Sequence, residues 1–104
     1  MNLPSTQQID CRVIGGEKLP METGGSAALC AAITRAAEAE APASRFSVEV
    51  RVLGDSALAA TIKTADGTTL PEQRFAIIDR SLTKGSLDRF AKSLVSAVTR
   101  VSPR

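Results

Sequence analysis

The chain has 104 residues, of which 43% are hydrophobic and 23% charged, with a net charge of +2. This is the composition of one globular domain rather than a disordered chain, and the charge is too small to argue by itself for a polyanionic partner. The sequence contains no His, Tyr or Trp, which excludes Ser-His-Asp and Cys-His nucleophile systems, His metal sites and the commonest general base.

Residues 1–8 read as a polar tail with neither a charged n-region nor an apolar h-region, so no signal peptide is expected there. Two origins fit: a cytosolic protein, or a secreted domain trimmed of its leader. Residues 9–104 read as a single domain. Ile9, Cys11 and Val13 alternate with Asp10 and Arg12, which predicts a first strand ended by Gly15-Gly16. Glu17 to Gly25 is a loop. A first helix then runs to about Glu40, capped by Thr23 or Ser26, with Leu29, Ala32, Ile33 and Ala36 on one face. Its small side chains let the helix sit close to a sheet, and Pro42 terminates it.

Phe46, Val48, Val50 and Val52 alternate with Ser47, Glu49 and Arg51, the clearest strand pattern in the chain. One face of that sheet is apolar and the other wet. Gly54-Asp55-Ser56 is a turn into a strand with Leu58, Ala60 and Ile62 inward and Thr61 and Lys63 outward. Asp66-Gly67 predicts a hairpin. The return strand is interrupted at Pro71, which suggests an edge or a bulge. It resumes at Arg74–Ile78, with Phe75 and Ile77 toward the core. A second helix is expected to be capped by Ser86, with Asp88 in its first turn against the positive end of the dipole. Leu87, Phe90, Ala91, Leu94, Val98 and Val101 form its apolar stripe. The predicted fold is α+β, a single two-layer sandwich of order β-α-β-β-β-α. Its sheet is mainly antiparallel, with both helices on one face.

Cys11 and Cys30 are the only cysteines. Cys11 points inward from the first strand and Cys30 lies beside the buried helix face, which makes them a disulfide candidate. Such a loop would stabilise the chain by roughly 3 kcal/mol. An even pair in a small domain favours an oxidising compartment, and abundant Ala and Arg suggest a GC-rich bacterial genome. Two thiols without His cannot complete a zinc shell, so no metal is expected, and no cofactor. No apolar run is long enough to span a membrane.

The polar strand phase supplies a candidate binding surface of Glu49, Arg51, Thr61, Lys63 and Arg74. Asp79 and Arg80 form a candidate polar site at the end of the last strand, with a solvated strand end as the plainer reading. The stretches Ile14–Lys18, Thr23–Ser26 and Lys84–Ser86 could cradle an anion, but none matches a phosphate loop, and turns and caps explain all three.

The order of helix, three antiparallel strands and helix over residues 24–101, with Phe46–Val52 as first strand and Lys84, Arg89 and Lys92 near the second helix, resembles a double-stranded-RNA-binding domain. That resemblance implies duplex contacts through phosphates and 2′-hydroxyls. Gly54-Asp55-Ser56 lacks that family's His and Gly-Pro pair, Asp88 is acidic where phosphates would approach, and the first strand is extra. The run from Val48 through Ala91 also resembles small envelope domains such as the N-terminal domain of the TolB translocation protein, a likeness of element order. The leading expectation is a non-catalytic bacterial envelope protein, periplasmic, binding an unknown protein partner through the exposed sheet face or an edge strand. The alternatives are a cytosolic RNA-binding module and a small enzyme using Asp79 and Arg80.

Overall fold

The structure, a computed structural model, describes residues 9–40, 45–78 and 80–101; the expected tail, Pro42 and Asp79 lie outside the described residues. The elements run β1 (Ile9–Ile14), α1 (Gly25–Glu40), β2 (Phe46–Val52), β3 (Ala57–Thr64), β4 (Gln73–Ala76) and α2 (Lys84–Val101), with single 3-10 turns at Gly16–Lys18 and Met21–Thr23 inside the first loop. The four strands lie in the order β1-β2-β3-β4.

The sheet is mixed, with mainly antiparallel pairing as expected. β1 pairs parallel to β2, while β2–β3 and β3–β4 are antiparallel. The cause is the connection: α1 carries the chain back along one sheet face, so β2 starts again in the direction of β1.

The predicted alternation sets the core. Phe46, Val48, Val50 and Val52 of β2 are buried, as are Leu58, Ala60 and Ile62 opposite them. Leu29, Ala32, Ile33, Ala36 and Ala37 of α1 close over that surface, as do Leu87, Phe90, Ala91, Leu94, Val95 and Val98 of α2. Phe75 reaches in from β4 to the Phe90 ring, with centroids 5.6 Å apart. Ile9, Cys11, Val13, Phe75 and Ile77 are only partly buried at the margins of this cluster.

Local chemistry fixes the turns. Thr64 N–H donates to Thr68 O at 2.8 Å and Gly67 N–H to Thr64 O at 3.0 Å, with Gly67 at φ 92°. Glycine tolerates that left-handed backbone, which is why Asp66-Gly67 signals the hairpin. Further along, Lys63 opposes Thr69 but Ala60 opposes Gln73, so three steps on β3 match four on the returning chain. The extra residue is a bulge around Pro71, where a missing N–H cannot continue the ladder.

Of the two helix starts, the first follows one of the expected caps and the second differs from expectation. α1 is opened by Thr23, whose hydroxyl accepts from Gly25 N–H at 3.2 Å and donates to Pro20 O at 2.7 Å; Ser26 sits exposed inside the helix. α2 starts at Lys84 rather than at a Ser86 cap, and the capping residue is Thr83. Ser86 N–H donates to Thr83 Oγ1 at 3.2 Å, and Thr83 N–H donates to Ser86 Oγ at 3.1 Å. This is a reciprocal capping box with a serine where glutamate is usual. The shift moves Asp88 out of the first turn, where it pairs with Arg35 of α1 at 3.3 Å instead of meeting the helix dipole.

Candidate functional site: the uncovered face of the sheet

With both helices on one side, no described element covers the other side of the sheet, and the strand register places its side chains in rows. Asp10 of β1 lies beside Ser47 of β2, Lys63 of β3 and Thr69 beyond the hairpin. The next row runs Arg12, Glu49 and Thr61; the one after it runs Ile14, Arg51, Ala59 and Arg74. The five candidate surface residues therefore share one face.

They separate into two groups. Asp10, Arg12, Ser47, Glu49, Thr61, Lys63 and Thr69, with part of Val48, line a shallow concavity of about 350 Å³. Arg51 and Arg74 are tied up elsewhere: the Arg51 guanidinium donates to Glu72 at 2.6 Å, and Arg74 approaches the other Glu72 oxygen at 3.9 Å. Their neighbour in the register, Ala59, is fully buried although it points away from the helices. We read the aliphatic stems of the two arginines as its cover.

The far end of this face is apolar. Ile14 and Leu53 are nearly half exposed, and Ile78, two residues past β4, is 83% exposed. Asp79 lies outside the described residues. Arg80 is exposed in the loop between β4 and α2, beyond the strand end rather than on it.

The chemistry of the concavity is that of mixed charges and hydroxyls. Ser47 stands between Asp10 and Lys63, yet none of the hydrogen bonds or ion pairs among the described residues joins these three side chains, so the hydroxyl has no base in bonding reach. Among the described residues no group of three or more Cys, Asp or Glu side chains is arranged to hold a metal. The hydroxyls of Thr23 and Ser86, near the glycine stretches considered for anions, are occupied by helix starts. A second hollow, of about 330 Å³, lies between α1 and α2 beside the Arg35–Asp88 pair. No described helix is long and apolar enough to cross a membrane.

The sulfurs of Cys11 and Cys30 meet at bonding distance, with Cα atoms 5.9 Å apart, and link β1 to α1. The sequence showed the polar phase of β2 and β3 but not the contribution of Asp10 and Arg12 to the same surface, because that depends on the parallel pairing of β1. Glu72 was also missed; only its position next to Pro71, between two arginines on one face, hinted at it.

No family model, curated protein or solved structure matches this chain.

Proposed function

We propose that the protein is a non-catalytic binding or accessory module of the bacterial periplasm that holds a protein partner against its uncovered sheet face. The observation behind this reading is the pairing of a disulfide-linked fold with a polar face that neither described helix covers. A cysteine pair at bonding distance suits an oxidising compartment. Mixed charges and hydroxyls at the concavity suit hydrogen bonding to a polar partner surface, with the apolar end at Ile14 and Leu53 supplying contact area.

The test is a photo-crosslinking amino acid placed in the cell at Thr61, in the concavity, and separately at Glu38, exposed on α1. A discrete adduct from Thr61 and none from Glu38 is expected. No adduct at Thr61, or equal adducts at both, would remove the docking assignment. Thiol alkylation of the protein taken from its own cells tests the compartment separately: Cys11 and Cys30 should resist alkylation until reduced.

A further inference from the structure

The sheet has two edges, at β1 and β4. β4 is blunted: it is four residues long, follows the bulge at Pro71 and carries Arg74. Natural proteins protect sheet edges by such means. β1 has six residues, no proline and an unbroken register with β2. Among the described residues, no backbone group beyond β2 bonds to Ile9–Ile14. Its inward residues Ile9, Cys11 and Val13 are only partly buried, as expected where a neighbouring strand would complete the cover.

From these observations we infer that β1 is the interface of a homodimer in which two copies join edge to edge, antiparallel, into one continuous eight-stranded sheet. The occupant of the edge is a second copy because the strand is complementary to itself in charge. With the two-fold axis at Cys11, each Asp10 faces the second copy's Arg12 and each Ile9 faces the second copy's Val13. Opposite charges directly across an antiparallel pair are favourable and like charges are not. A slip of two residues either way sets Asp10 against Asp10 or Arg12 against Arg12, and a slip of one turns the apolar residues to the wet face. Charge and pleat thus select one register, and the interface is isologous, as a two-fold dimer requires.

Asp10 and Arg12 take part in none of the three ion pairs among the described residues. The bond to Cys30 holds β1 in place before it meets a partner. Asp10 and Arg12 also line the concavity of the uncovered face, but association of the purified chain reads the dimer and crosslinking at Thr61 reads the docking, so the two can fail independently.

Sedimentation of the full chain over a concentration series tests it, with Asp10→Arg and Arg12→Asp made singly. The wild type is expected to sediment at twice 10.9 kDa, each single variant to associate at least about tenfold more weakly, and an equimolar mixture of the two variants to recover the dimer. A wild type that stays monomeric to about 1 mM overturns the inference. So does association indifferent to both reversals, or a mixture of folded variants that fails to recover. Hydrogen exchange on the wild type alone gives a readout that needs no variant. Protection of the Ile9–Ile14 amides should rise with protein concentration while that of β4 does not, and constant protection counts against the dimer.

Discussion

Thr83 and Ser86 each bind the other's backbone N–H, and Ser86 is buried under the start of α2. Thr83→Ala removes a cap acceptor and should cost about 1–2 kcal/mol in a denaturant titration. Ser86→Ala should also destabilise, because it leaves Thr83 N–H without its acceptor. The sequence signal here was ambiguous: Thr83 and Ser86 are both good caps, and only the box decides which residue lies outside the helix. At the β3 hairpin, Asp66 accepts from Thr64 Oγ1 at 2.5 Å and Thr68 N–H at 3.0 Å. These bonds, led by Thr64, hold its carboxyl below the ordinary carboxylate value. A lowered folded value stabilises the fold above the unfolded-state pKa, and the contribution is lost as pH falls through the folded value. Asp66→Asn should therefore lower stability slightly at neutral pH, where the ionised carboxyl contributes, and converge on the wild type in acid, so that the acid limb flattens, as followed by thermal melts from pH 2 to 7.

At the scale of elements, β1 depends on fewer supports than its neighbours. It pairs on one side only, its inward residues are half-buried, and its link to the helix layer is the Cys11–Cys30 bond. Replacing both cysteines by serine should cost about 3 kcal/mol, with amides of β1 exchanging well before those of β2 and β3. Equal exchange of the three strands would mean that the ladder to β2 alone holds β1. The alternation of β1 and the inward placement of Cys11 were legible in the sequence. The parallel pairing was less so, because a six-residue strand looks the same whichever way its neighbour runs. The bulge was legible at Pro71 for a simple reason: proline has no N–H to give.

For the whole molecule, the governing asymmetry is a sheet covered on one side only. Adjacent positions on β3 should report it: Ile62→Ala should cost 2–5 kcal/mol, as a roughly typical buried truncation, and Thr61→Ala less than about 0.5 kcal/mol. Calorimetric melts of the two variants check this directly. Ala59 breaks the rule that outward positions are exposed; its register partners are Arg51 and Arg74, a pairing across two strands that no local pattern announces. The crossover through α1 also bears on how fast the chain reaches this arrangement. The β2–β3 hairpin closes over the four residues between Val52 and Ala57 and needs little loop entropy, whereas β1 must find β2 across the whole crossover. A chain that unfolds with Cys11 and Cys30 still joined keeps part of that closure. Stopped-flow refolding of the oxidised protein should thus outpace that of the double-serine chain. Equal rates would place the docking of β1 after the transition state, as a late addition to a nucleus of hairpin and helices.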